Sequence, residues 1–246
     1  MQVLTIAVQK GGTGKTTTAA ALSYAAVKDH KKVLAIDLDT QGNLSYSLNM
    51  RTGSNVAGSY DLLAGMNPDE IIQHLENGLD AIPANWQLST MKAGTGSARH
   101  LQTAIEPLKR LYDVIIIDTP PTAGTLQYNA LQAATGLIIP LKSDVFSVQS
   151  LYQIVDTARQ FQDSNPLLSI KGIVLTQYSK RSIIDRQMEK KISDAAAEYG
   201  LQIIGRIRQG VAVKEATALQ ENLYQYAPKS KPAADYWQLY RKLFKD

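Results

Sequence analysis

The stretch "VQKGGTGKTTT", residues 8–18, decides the reading of the chain. A phosphate-binding loop is written Gly, four residues, then Gly-Lys-Ser/Thr. Gly14-Lys15-Thr16 supplies the end of that pattern, but its leading glycine is replaced by Gln9, and a second lysine, Lys10, stands where any residue is tolerated. Ahead of the loop, 2–8 "QVLTIAV" is strand-like, and 16–28 behind it is helix-like. In that setting successive backbone N–H groups and the helix N-terminus form an anion cradle. Gly11, Gly12 and Gly14 let the backbone approach phosphates with no Cβ in the way. Lys15 reaches the outer phosphates and the Thr16 hydroxyl is placed for Mg²⁺. The nucleotide-binding set is Gly11, Gly12, Thr13, Gly14, Lys15, Thr16 and Thr17.

Outward from the loop, apolar runs of strand type recur at 32–37, 79–83, 113–118, 136–141, 170–176 and 202–207. Several are apolar throughout rather than alternating, as strands covered on both faces are. Helix-like stretches fall between and after them at 125–134, 146–162, 183–199 and 232–245, whereas 50–100 is the least regular region and "MKAGTGSARH" at 91–100 reads as a loop. Strands alternating with helices predict an α/β fold: a single domain over 1–246, with a mostly parallel twisted sheet and helices on both faces. Two carboxylates, Asp37 and Asp39, lie two apart at the end of the second strand, and Asp118 ends another. Ligands of open α/β sheets bind at such C-terminal strand ends.

Composition narrows the class. The chain has 246 residues and no cysteine, which excludes a disulfide framework, a thiolate metal site and an iron–sulfur cluster. The start lacks a basic n-region with a cleavage site, and runs such as "VIII" at 114–117 are too short to span a bilayer, so a soluble cytoplasmic protein is expected. Residues 1–170 hold 12 Lys and Arg against 14 Asp and Glu, while 171–246 hold 14 against 8. That asymmetry points to a polyanion or anionic surface meeting one face.

At this point the motifs carry a resemblance. "KGGTGKTT" resembles the deviant Walker A loop of the ParA/MinD ATPases, a P-loop NTPase group with a signature lysine ahead of the glycines. "VLAIDLDTQGN" at 33–43, "DVIIIDTPP" at 113–121, "GLIIPLKSDVFSVQSL" at 136–151 and "YAPKSKPAADY" at 226–236 follow in order, and "DLDxQGN" is similar to the ParA/Soj branch that segregates plasmids and chromosomes. The resemblance implies ATP and Mg²⁺ as cofactors and a homodimer in the ATP state. It implies catalytic roles for Lys10, Lys15 and Asp39: Lys10 reaching across the dimer to the partner's phosphates, Asp39 orienting the attacking water. Metal duties fall to Thr16, Asp37 and Asp118. The base is expected around Gln177 and the 207–213 loop. The nearest match to a guanine-reading motif, "LKSD" at 141–144, begins with leucine.

The resemblance further implies non-specific DNA binding by the ATP dimer, slow ATP hydrolysis stimulated by a ParB-like centromere-binding protein, and a nucleoid-associated cytoplasmic location. The basic second half supplies the DNA candidates: Lys180, Arg181, Arg186, Lys190, Lys191, Arg206, Arg208 and Lys214, with Lys229 and Lys231 beyond. The chain begins at its first strand, so no N-terminal helix-turn-helix extension is expected. Two rivals stand beside this reading. A MinD-like membrane-associated ATPase would lay the tail "ADYWQLYRKLFKD" on lipid, yet the same pattern suits a closing helix packed on the sheet, and a membrane is not expected as a partner. A small metabolic ligase of the superfamily would need a substrate pocket, for which the sequence has no distinctive signature.

Overall fold

The computed structural model describes residues 1–91 and 98–245. Six residues of the 91–100 stretch expected to be a loop, 92–97, lie outside the described residues. In chain order the strands are β1 (Gln2–Ile6), β2 (Val33–Asp37), β3 (Gln73–His74), β4 (Asp80–Ile82), β5 (Val114–Asp118), β6 (Gly136–Lys142), β7 (Ser169–Tyr178) and β8 (Ile203–Arg208). The helices are α1 (Lys15–Lys28), α2 (Asn43–Ser47), α3 (Ser59–Leu63), α4 (His100–Ile105), α5 (Thr125–Ala133), α6 (Ser147–Gln162), α7 (Ile183–Ala197), α8 (Val211–Ala218), α9 (Leu223–Tyr226) and α10 (Lys231–Phe244).

The strands form one sheet in the order β3-β4-β2-β5-β1-β6-β7-β8. Every pairing is parallel except the short β3–β4 edge. Successive strand residues face opposite sides, and both sides are covered. Leu4 and Ile6 of β1 join Val33, Ala35, Val114 and Ile116 in a core under α1, α2 and α8–α10. Val3, Leu34, Ile36, Ile115 and Ile117 face a second core with α3–α5. A third fills the space between β6, β7, α6 and α7. This two-sided burial is why the strands read as unbroken apolar runs instead of alternating ones.

The sheet order sets the site. Cα pairing places Ile6 opposite Asp118 and Asp37 opposite Asp118, so β1, β5 and β2 end side by side. The loop after β1 therefore emerges beside two strand-end carboxylates. α10 closes the first core: Tyr236, Leu239 and Tyr240 are buried, and Trp237, Leu243 and Phe244 pack against them. Its Tyr240 hydroxyl donates to Asp29 at 2.8 Å, and Lys28 lies over the Trp237 ring at 5.1 Å. The apolar face of the tail is spent on the protein's own core.

Candidate nucleotide site and cationic rim

Gly12 and Gly14 adopt left-handed φ of 69° and 86°, a region L side chains rarely enter. A Cβ on Gly14 would also stand 3.4 Å from Thr176, whose hydroxyl donates to Thr13 O at 2.6 Å and clamps the loop against β7. α1 starts directly at Lys15, so its first N–H groups face the loop. Lys15 is buried and its Nζ donates to Lys10 O at 2.9 Å. Burial pushes its pKa down, and the charges of Asp118 and Asp39 pull it back up.

The Thr16 hydroxyl donates to Asp118 Oδ2 at 2.7 Å. Asp118 is fully buried; burial, then the Asp37 charge, lifts its pKa well above the usual carboxylate range, against the Thr16 hydrogen bond. Asp37 is equally buried. Its Oδ1 accepts from Asp39 N at 3.0 Å, and its Oδ2 from Ser45 N at 2.8 Å and Ser45 Oγ at 2.7 Å. Burial pushes Asp37 up to about 6, with those hydrogen bonds opposing. Asp37, expected as a metal ligand, has both oxygens engaged in positioning the turn that follows it. Asp39 accepts from Gln41 N at 3.0 Å. Asp118 and Asp39 bear on the Lys15 ammonium and Asp37 bears on Asp118, a grouping of acids whose charge a cation would offset. Magnesium in nucleotide sites takes most of its ligands from phosphate and water, so the Thr16 hydroxyl and Asp118 are a fitting protein share.

Lys10 is paired within its own chain, with Asp144 of the β6–α6 loop, and lies 5.7 Å from the Phe146 ring centroid. Burial pushes Asp144 up, but hydrogen bonds from Lys10 and Ser147 outweigh it and hold the carboxyl below its usual range. The contact expected of Lys10 across a dimer needs two chains; in one chain the nearest carboxylate takes the cation. Lys142 stands at the loop as well: a Cβ on Gly12 would lie 3.6 Å from its Nζ. Sequence reading missed Ser45, a serine in a short turn, and Lys142, Asp144 and Thr176, whose distances along the chain carry no local signal.

One cavity adjoins the loop's far end, and a second shares a wall with it. One, of about 480 Å³, is bordered by Gly14 and Thr17 and by Gln177 and Ile207–Gly210, where the base was expected. The other, of about 470 Å³, is lined by Lys180, Arg181, Arg208, Lys214 and Lys231 with no carboxylate in its lining. The structure thus gathers four of the eight predicted DNA candidates. Arg206 instead pairs with Glu189 at 2.5 Å, and Arg208 forks onto the buried Asp235 at 2.6 Å. Arg186 donates to Lys180 O at 2.9 Å, and Lys190 and Lys191 are exposed along α7.

Comparison with known proteins gives the family and the fold. The AAA_31 family model, described as an AAA domain, matches residues 1–170. The chain is 35% identical over 253 residues to the chromosome partitioning protein ParA of Caulobacter vibrioides, spanning 99% of this chain and 94% of that one. It is 32% identical over 240 residues to the chromosome-partitioning ATPase Soj of Thermus thermophilus, spanning 96% and 92%. The chain belongs to the ParA/Soj partition ATPase family. Other solved members of the fold extend the likeness beyond ParA/Soj. Apo McdA of Cyanothece superposes with a TM-score of 0.86 at 26% identity, over 97% of this chain and 99% of that one. Cobyrinic acid a,c-diamide synthase of Mycobacterium smegmatis, solved with ADP and magnesium, gives 0.81 at 29% identity over 100% and 94%. Among the described residues no helix is long and apolar enough to cross a membrane.

Proposed function

We propose that this ParA/Soj-family chain is an ATP-dependent dimerisation switch. In its ATP state it pairs with a second copy and binds DNA without sequence preference. A ParB-like partner stimulates slow, Mg²⁺-dependent hydrolysis, and the cycle segregates plasmid or chromosomal DNA. One observation carries the reading: the phosphate cradle and the acid-free cationic cavity both lie at the C-terminal ends of the parallel strands and are joined by a wall. Arg208, Gln209, Gly210 and Lys214 line both that cavity and the one beside the cradle.

The chain's own groups suit the chemistry. Backbone N–H groups of 11–16 and Lys15 bind the phosphates, and Thr16 with Asp118 would hold magnesium, which would offset charge on the phosphate oxygens. Asp39, at the rim of the buried acids, orients the attacking water and accepts its proton. Lys10, released from Asp144, supplies a cation to the neighbouring subunit's phosphates. Order held by the terminal phosphate is then lost on hydrolysis.

The membrane reading is disfavoured because α10 buries its apolar face on the sheet. The ligase reading draws on the M. smegmatis neighbour, and is separated by the activator: DNA with a partner protein should raise ATP turnover, whereas a small acid should not. The direct test measures DNA binding with ATP, ADP and no nucleotide across a salt series. Binding only with ATP, with log affinity falling against log salt at a slope of roughly −5 for about six engaged charges, is expected. Binding indifferent to nucleotide, or to salt, overturns the proposal.

A further inference from the structure

Tyr46 stands at the mouth of the 480 Å³ cavity beside the phosphate loop. The residue is 52% exposed. A flat aromatic at the edge of a largely apolar cavity gains most when another flat ring covers it. A nucleotide with its phosphates on loop 10–17 carries its base one ribose away, within reach of that mouth.

Two hydrogen bonds tie this residue to the opposite wall. The Tyr46 hydroxyl donates to Ala218 O at 3.2 Å, and Gln220 Nε2 donates to Tyr46 O at 3.0 Å. Gln220 holds a left-handed φ of 57° as the residue that ends α8, where Glu221 N donates back to Ala216 O at 2.8 Å, so its side chain leaves a fixed helix end. The residue before Tyr46 faces the other way. Ser45 gives two hydrogen bonds to Asp37 and accepts one from Ala84 N at 2.8 Å. Gly42 N meanwhile donates to Asp39 O at 2.9 Å. The single turn α2 therefore joins the cavity's mouth to the buried carboxylates by hydrogen bonds at both ends.

We propose that Tyr46 stacks on the base of a bound purine nucleotide and, through α2, couples the presence of that base to the Asp37–Asp39 turn. This rests on the nucleotide reading above and adds to it a residue that senses the base. The ring binds; the hydroxyl, through Ala218, holds α2 at the spacing the carboxylates need. Tyr46 is a positioning residue with respect to hydrolysis.

Calorimetric titration of the full chain with Mg²⁺-ATP, Mg²⁺-ADP and Mg²⁺-tripolyphosphate tests it, because tripolyphosphate fills the cradle without a base. Tyr46→Ala is expected to weaken ATP and ADP about tenfold and leave tripolyphosphate unchanged. Tyr46→Phe keeps the ring, so ATP affinity stays while kcat falls about fivefold at constant KM. Equal losses for ATP and tripolyphosphate in Tyr46→Ala, or no loss for either, overturn the stacking role. Wild-type kcat in Tyr46→Phe overturns the coupling, and this isosteric variant keeps the question answerable should Tyr46→Ala not fold. A wild-type chain that binds neither ATP nor tripolyphosphate would instead sink the nucleotide reading, and this proposal with it.

Discussion

At the phosphate loop Lys15 is buried and donates to a backbone carbonyl at 2.9 Å, whereas at the rim Lys180 and Arg181 stand exposed around an open basin. The first region sets a few charges against one another in a low-dielectric setting. Removing one there leaves the others uncompensated. The second spreads many charges through solvent, where each is screened and worth little alone. A buried site fails at single positions, and an exposed patch fails by increments. The steepest break in the comparison is Lys15→Ala. Loss of a buried, desolvated partner for the phosphates should weaken ATP binding by about 100-fold or more in calorimetry. Retained affinity would mean that the cradle's N–H groups alone bind the ligand.

Lys10 tests whether the cradle extends beyond one chain. Lys10→Ala removes the partner of Asp144 but leaves Lys15, Thr16 and the loop glycines in place. ATP affinity should stay within about threefold while DNA- and partner-stimulated turnover drops roughly 100-fold and ATP-dependent dimers vanish from light scattering. Dimers and turnover at wild-type level would assign Lys10 to its own chain alone.

Acidity gives a third test. Asp37 is raised to about 6 and Asp118 well above the ordinary range, while both sit near 4 in an unfolded chain. Between those values the folded state holds more protons than the unfolded one, so the stability these acids lend is present at low pH and is lost as pH rises through the folded values. A divalent cation replaces the protons. Mg²⁺-ADP should therefore raise the melting temperature more at pH 7.5 than at pH 5.5, by roughly 2–4 °C. An equal rise at both would detach the metal from these acids.

The same contrast explains what the sequence made legible. Long apolar strands and the loop's own glycines announce themselves in a few consecutive residues, and all seven expected strands appear within two residues at either end. The two-residue β3 and the short helices α2, α3, α8 and α9 carry too little periodicity to register. In the site, Lys15, Thr16, Asp39 and Asp118 lie in contiguous motifs at strand ends. Lys142 and Asp144 reach the loop from more than a hundred residues away, and only the β1–β6 pairing brings them there. The rim shows the converse: charge could be counted, but the carboxylates that claim Arg206 and Arg208 could not be foreseen, because Asp235 approaches from α10 and Glu189 from α7.

The rim's own members should therefore part company. Arg208→Ala strips the partner from Asp235, a carboxylate only 8% exposed that accepts from Arg208 N and its guanidinium. Its main effect should be a stability loss of about 1–3 kcal/mol in urea titration, with any loss of DNA binding following from it. Lys180→Ala removes no ion pair of the described residues, only an exposed charge acting at a distance on Glu189, and should leave stability nearly unchanged. Its effect is a decrease of about 0.9 in the steepness of the salt dependence and a few-fold loss of DNA affinity that is the same for every sequence. A stable Arg208→Ala chain with a lowered salt slope would place that arginine on the DNA despite its buried partner. An unchanged slope in Lys180→Ala would remove the basin between β7 and β8 from the contact and move the DNA path toward Lys190 and Lys191 on α7.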